Sequence, residues 1–491
     1  MRVFIFGIGG TGSRVLRSLT MLLASGVKFA DSNVTIVPIV IDTDAHNGDT
    51  SRTRDVLRSY YAIRKNFVNK NVTSNSDSFF NTQIRSFNRL DSNAASDGAD
   101  LDVQFNFQNQ DNSFANFINY NGLTQSNKDL IELLYNDSLD DHPELHLNLS
   151  VGFKGNPNIG SVVFNDLMFS QQFKNLESGF TSSDRIFIIS SIFGGTGSSG
   201  FPTLVKLVRT STNNNLAQTK IGAITVMPYF NVESNDNSAI NSAIFDTKTK
   251  AALAFYAADS HINSINSLYY IADNNQEGCL PNVEGGVDQV NNSHIIEFMS
   301  STAIVDFINR DDQELVTPQC FEFGVEQNGL PFNIAHFSPS TKEKYIKPLV
   351  RFAYAAKVAT NFIPSLTKET FYSPKELNIG GALGIPAEYK KLLDFFTEFK
   401  KWSSEEMNSR NNGRAFNSFS FDDSDHVNNL VEGKQIRTGT FDKGLSKKKI
   451  SEMLNKHETH KELKDLPIPE RYTTMLYKTA DDCLKELGQL P

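Results

Sequence analysis

FGGTGSSG, residues 193–200, follows the apolar run DRIFIIS and opens the apolar-periodic stretch FPTLVKLVRTST. The order is strand, glycine-rich turn, helix. Glycines allow the tight turn and let backbone N–H groups come close to a ligand, while the helix N-terminus adds a dipole favourable to anions. The same order stands at the start of the chain, where RVFIF runs into FGIGGTGSRV (6–15) and then an apolar-periodic helix, SRVLRSLTMLLASG. There Gly7, Gly9 and Gly12 satisfy G-x-G-x-x-G directly after a strand and before a helix. Two such loops in one sheet predict two helix N-termini facing a single polyphosphate.

Outward from these loops the chain alternates. VTIVPIVI precedes Asp42, LHLNLSVGF (145–153) reads as a strand ending in the turn GNPNIG, and SVVFNDLMFSQQFKNL has helical periodicity. KIGAITVMPYF (220–230) is a strand, a helix covers about 238–259, SLYYIAD is a strand, and a long helix runs over about 291–309. This is the pattern of an α/β fold with one doubly wound, mostly parallel sheet. From about 71 to 126 the composition shifts to Asn, Asp, Ser and isolated Phe, which predicts a polar, partly ordered surface insertion. Beyond residue 340, segments such as KEKYIKPLVRFAYAAKVATNF, AEYKKLLDFFTEFKKW and ERYTTMLYKTADDCLKEL read as amphipathic helices, with short strands at SFSFDD and IRTGTF.

The first loop alone fits three sites. One is a dinucleotide cofactor with Asp42 on a ribose; another is an adenylating enzyme of the ubiquitin-activating type. The third is the nucleotide site of the tubulin and FtsZ superfamily, and the second loop selects it. Gly194-Gly195-Thr196-Gly197-Ser198-Ser199-Gly200 resembles the GGGTGS/TG signature of that superfamily. Asp42-Thr43-Asp44-Ala45 looks like the NTDAQ segment of FtsZ, GNPNIG is similar to ANPEVG near the γ-phosphate, and Met227-Pro228-Tyr229-Phe230 resembles TKPF. The resemblance covers about residues 1–345 and is closer to divergent prokaryotic tubulin-like proteins than to cytokinetic FtsZ.

The resemblance implies a guanine-nucleotide domain over 1–290, a central helix over 291–309 and a divergent, mainly helical region over 310–491. It implies GTP or GDP, with Mg²⁺ on the phosphates, against Gly7, Gly9, Gly10, Thr11, Gly12, Ser13, Gly155, Asn156, Gly194, Gly195, Thr196, Gly197 and Ser198. Asp42 and Asp44 would serve nucleotide or metal, Glu233 the ribose, Asp273 or Asn274 the guanine edge, and Phe298 a stacking face. It implies self-association head to tail into filaments, with an acid from the neighbouring subunit polarising water. Phe332 to Pro339, where that acid is expected, holds no carboxylate, so Asp311, Asp312 and Glu343 are the substitutes. A scaffold that binds GTP without efficient hydrolysis, working through a protein partner on the helical C-terminal region, is the alternative.

Composition bounds these readings. A net charge of −9 over 491 residues speaks against a general nucleic-acid binder, since phosphate backbones demand a basic surface. Three cysteines, far apart, predict neither a disulfide framework nor a zinc site and suit a reducing compartment. No stretch approaches the roughly 18–20 apolar residues of a membrane span. With a strand starting almost at Met1, a signal peptide has no room, and a cytoplasmic protein is expected.

Overall fold

The computed structural model describes residues 1–44, 46–87, 101–105, 107, 112–135, 144–153, 155–230, 242–273, 283, 286–323, 332–366, 387–405, 419–421, 430–431 and 445–487. Its strands are β1 (Arg2–Ile8), β2 (Thr35–Ile41), β3 (Gln83–Ile84), β4 (Gln104–Phe105), β5 (Arg185–Ser191), β6 (Lys220–Val226), β7 (Ser267–Ile271) and β8 (Gln319–Phe323). The longer helices used below are α1 (Gly9–Ala24), α2 (Gly48–Phe67), α3 (Pro157–Asn165), α4 (Gly195–Arg209) and α5 (Ser242–Ala258). They continue with α6 (Ile295–Asn309), α7 (Lys347–Lys357), α8 (Ala387–Ser404), α9 (Lys447–Glu458) and α10 (Ile468–Glu486).

The strands form one sheet in the order β3-β2-β1-β5-β6-β7-β8, with β4 also on β2, and every pairing is parallel. β2 and β5 are buried along their whole length and β1 and β6 nearly so, as parallel strands covered on both faces require. Strand order reverses between β1 and β5. In open α/β sheets that reversal opens a crevice beyond the carboxyl ends of the strands, where ligands bind.

Side-chain parity assigns the helices to faces. A Cβ on Gly7 would press on Leu16 of α1, and one on Gly222 would press on Phe307 of α6, so α1 and α6 share a face. Ile8 points the other way, toward Gly200 of α4, and α4 packs with α3 and, through Phe201 and Tyr256, with α5.

Several expectations need correcting. LHLNLSVGF forms no strand; it holds an isolated bridge from Asn148 to Ser113 and a 3-10 turn at Leu149–Val151. Among the described residues no strand pairs with it; instead the Leu145 and Leu147 carbonyls accept from the Ala115 and Phe114 amides. The 71–126 stretch is more than surface: Phe79 and Phe80 are fully buried, and β3 and β4 extend the sheet past β2. Of SFSFDD only residues 419–421 are described, and they hold the bridge of Phe419 to Val431; IRTGTF lies outside the described residues.

The C-terminal helices form a second layer over the α1/α6 face. Phe352 of α7 meets Phe79 and Phe80 edge-on, Phe80 meets Phe395 of α8, and Tyr477 of α10 closes on Phe79. Trp402 of α8 is fully buried, its indole N–H donating to Ser18 Oγ of α1 at 3.1 Å. Residues before and after 310 therefore share one core.

Candidate nucleotide site

Three helices begin at the carboxyl edge of the sheet around the reversal point: α1, α3 and α4. None has a side-chain cap among the described residues, and none has an acid in its first turn. Their opening N–H groups carry the positive end of each helix and no internal acceptor. α2 and α6 start at the same edge and differ. Asn47 caps α2, with Asp49 in its first turn; His294 and Glu297 form a capping box on α6.

The three uncapped ends touch. Gly9 has φ +68°, and a Cβ there would lie 3.4 Å from Thr196 Cβ. A Cβ on Gly195 would lie 2.9 Å from the Gly155 nitrogen and 3.2 Å from that of Asn156, and Gly155 itself has φ +78°. The glycines are thus needed for approach: Gly195 lets the α4 end and the 155–157 turn close to backbone contact. A Cβ on Gly197 would strike Ser191 O at 2.6 Å, and one on Gly12 would strike the Gly7 carbonyl carbon at 2.5 Å. The residues of this cradle are compatible with a polyphosphate: three helix N-termini side by side, no acid in their first turns, and no space for a Cβ at Gly195 or Gly197.

Other expected residues fall around it. Ser198 turns its hydroxyl back to Gly194 O. Thr11 is buried, and Ser13 is fully buried with its Oγ 3.1 Å from Thr50 Oγ1, one layer behind the cradle. Thr50 in turn donates to Asp42 Oδ2, as does Asn47 Nδ2, both at 3.3 Å. Burial pushes the Asp42 carboxyl up to about 7; the Asp44 amide works against this and the Asp44 carboxylate with it. Asp44 accepts Gly286 N at 2.6 Å, and Gln289 Oε1 accepts from Asn47 Nδ2 at 2.7 Å, so residues 286–290 are fastened along this rim. The Gln289 amide nitrogen lies 2.9 Å from where a Cβ on Gly10 would stand.

Asp273, just past β7, lies 3.5 Å from His294 Nε2. His294 Nδ1 accepts from the Ile296 amide, which leaves the Nε2–H to face that carboxylate. Burial first and the Arg14 charge second push His294 down to about 3, so the ring is neutral. Glu233 and Asn274 lie outside the described residues. Phe298 does not offer a face to a base: it is fully buried and packs on Trp402, because the C-terminal layer covers this side of α6.

The three acids sit at the other end of the sheet. Asp312 pairs with Arg185, the first residue of β5, at 3.0 Å, and Asp311 accepts from Gln313 N and Glu314 N in a turn. Glu343 pairs with Lys347. A seven-residue strand spans roughly 20 Å, so Asp312 cannot reach the cradle of its own chain.

Sequence reading missed a buried ionic cluster behind the loops. Arg14 holds Glu297 (2.7 Å), Asp49 (3.1 Å) and the Tyr229 hydroxyl, all nearly unexposed. Burial alone would lower the guanidinium, but Tyr229, Glu297 and Asp49 outweigh it and raise it. Arg17, one turn on, pairs with Glu398 and Glu405 of the C-terminal layer. The H-x-x-E box at 294–297 was a readable signal for Glu297; nothing in the sequence pointed to Asp49 or Glu405. Also missed was Lys248 of α5, whose ammonium donates to Gly155 O at 2.8 Å.

Among the described residues no group of three or more His, Cys, Asp or Glu stands ready for a metal, and no helix is long and apolar enough to cross a membrane. Residues 161–245, from α3 through the second glycine loop to the start of α5, match the family described as "Tubulin like". Among solved structures the chain is similar to CetZ2 from Haloferax volcanii, described as a GTPgS-bound protofilament. Identity is 11% over 64% of this chain and 62% of that one, with a TM-score of 0.30. CetZ from Methanosaeta thermophila is 14% identical over 65% of this chain and 56% of that one, with a TM-score of 0.27. The chain therefore spans less than two thirds of either protein. No curated protein matches. The matched segment carries the second glycine loop, set in a parallel sheet beside the first, and over that segment the chain is similar to the tubulin-like family.

Proposed function

We propose that this protein binds a guanine nucleotide across α1, α3 and α4 and self-associates head to tail, with the nucleotide at the subunit interface. The observation that carries the reading is the convergence of three uncapped, acid-free helix ends on one point at the sheet's reversal. Gly7, Gly9, Gly10, Gly12, Gly155, Gly194, Gly195 and Gly197 would give the phosphates backbone approach, with Thr11, Asn156, Thr196 and Ser198 beside them. Asp42 and Asp44 would lie at the rim, and Asp273 would face the guanine. Mg²⁺ would sit on the phosphates and neutralise their charge, a mode that needs few protein ligands.

Hydrolysis would require an acid from a second subunit. Asp311 and Asp312, at the amino edge of the sheet, face away from their own cradle and toward where a stacked neighbour's cradle would come. The second reading is a nucleotide-gated scaffold without efficient turnover. It draws on Asp312 being held by Arg185 and Asp311 being engaged in its own turn.

Both readings are tested by denaturing the purified protein, identifying the released nucleotide by chromatography, and sedimenting native protein with and without GTP and Mg²⁺. Guanine nucleotide with GTP-dependent pelleting supports the first reading, and guanine nucleotide without pelleting the second. NAD, ATP or no nucleotide refutes both.

A further inference from the structure

The phosphate cradle is built almost wholly from neutral amides. Two described cations near the first loop point elsewhere: Arg14 is held by Asp49, Glu297 and Tyr229, and Arg17 by Glu398 and Glu405, all on the α1/α6 face. Lys248 comes from the opposite face. α5 packs against α4 through Tyr256 and Phe201, and this brings the half-buried Lys248 to the Gly155 carbonyl at 2.8 Å. Gly155 is the residue whose nitrogen abuts Gly195. The contacts therefore run in a line from Gly9 to Thr196, from Gly195 to Gly155, and from Gly155 to Lys248. Asp273 and His294 stand apart from that line, at the ends of β7 and α6.

We infer that Lys248 is the cationic contact of the terminal phosphate and sets the preference for nucleoside triphosphate over diphosphate. The inference rests on the nucleotide reading above. A nucleoside placed toward Asp273 extends its phosphates along the line of contacts, and the last phosphate then meets α3 and the ammonium. An ammonium adjusts its donors around an anion as a point charge, so a short swing of the side chain exchanges or shares the carbonyl for a phosphate oxygen. Diphosphate, shorter by one group, ends at the α4 amides and gains little from the lysine. The carbonyl contact also holds the 155–157 turn, so the test must separate charge from loop position.

Affinities for GDP and GTP with Mg²⁺ are measured by calorimetry on the full chain for wild type, Lys248→Gln and Lys248→Arg, alongside their melting curves. Glutamine still donates to a carbonyl and keeps the turn, but carries no charge. For Lys248→Gln the GTP affinity falls about 10- to 100-fold, as for loss of a charged hydrogen bond, while the GDP affinity changes less than about threefold. Lys248→Arg recovers most of the GTP affinity. An equal fall for both nucleotides, or none for either, overturns the inference while leaving the nucleotide reading standing. Wild type that binds neither nucleotide overturns the nucleotide reading and this inference with it.

Discussion

Arg14→Met removes the guanidinium from the buried cluster behind the first glycine loop, and the structure fixes what is left. Asp49 keeps Arg52 at 3.0 Å and two donors from Asn291. Glu297 keeps only the Tyr229 hydroxyl at 2.9 Å and the His294 amide at 3.3 Å, in a place where burial already raises its carboxyl. Breaking a buried pair from one side leaves an uncompensated charge and costs about 3–5 kcal/mol. Unfolding entropy grows with chain length, so on 491 residues this corresponds to only about 3–5 °C in Tm. Glu297→Gln costs less, about 1 kcal/mol, because Arg14 retains Asp49 and no carboxylate is stranded. The double variant Arg14→Met/Glu297→Gln recovers at least half of the single loss, a coupling read from a double-mutant cycle. The sign with pH follows: without Arg14 the folded-state Glu297 binds its proton more tightly still, so the loss is larger at pH 8 than at pH 5. Scanning fluorimetry of the four proteins at both pH values decides the matter. A shift under about 1 °C for Arg14→Met, strict additivity in the double variant, or a loss independent of pH would refute this account.

Gly195→Ala forces the 155–157 turn away from α4 by a few tenths of an ångström at least and lowers nucleotide affinity more than tenfold with little change in Tm; unaltered affinity removes the cradle. Asp42, raised to about 7 from its unfolded value, adds stability below the unfolded pKa that is lost as pH rises through 7. Asp42→Asn therefore melts higher than wild type at pH 8, by up to about 4 kcal/mol, and equal to it near pH 4; the opposite order in the melting profiles excludes a buried neutral Asp42. His294, lowered to about 3, has the reverse sign: its contribution is present above the unfolded pKa and lost as pH falls toward 3. His294→Asn keeps an N-cap and flattens the acid limb of the profile, and an unchanged limb rejects that assignment. Asp312→Asn leaves nucleotide affinity intact and slows phosphate release from sedimented assemblies at least tenfold, whereas unchanged turnover dismisses it as the hydrolytic acid.

The two glycine loops were legible because their requirement is local. A strand, a backbone that must approach closely and a helix N-terminus leave a short, contiguous signature; Gly195 and Gly197 prove to be in tight quarters, and Gly9 takes a positive φ. β1, β2, β5, β6 and β7 were legible for the same reason, as uninterrupted apolar runs. What failed depended on distant partners. LHLNLSVGF has strand chemistry but, among the described residues, pairs only through the single bridge of Asn148 to Ser113. Phe79 and Phe80 stand isolated in a polar stretch, and Phe352, Phe395 and Tyr477, more than 270 residues on, join Tyr60 in making them core. Phe298 was misread for the same cause, since its burial comes from Trp402. Lys248 lies in a helix of ordinary sequence, and its meaning appears only when α5 is seen beside Gly155.

An anion preference of the proposed site would not come from the overall field, because the chain carries a net charge of −9. Apart from Lys248, it would come from local dipoles, and capping decides which of them act. At the carboxyl edge of the sheet α2 and α6 have an opening amide engaged by Asn47 and His294 and carry Asp49 and Glu297 in their first turns, which offsets their positive ends. α1, α3 and α4 do not, so the attraction is confined to the point where they meet. The acids beside it are managed in the same spirit. Asp44 accepts from the Gly286 and His46 amides, and burial raises Asp42 to about 7, which lessens its charge against an incoming phosphate. A chain with Asp42 solvated and ionised would meet the same phosphate with a like charge at the rim, and the three helix ends would first have to overcome it.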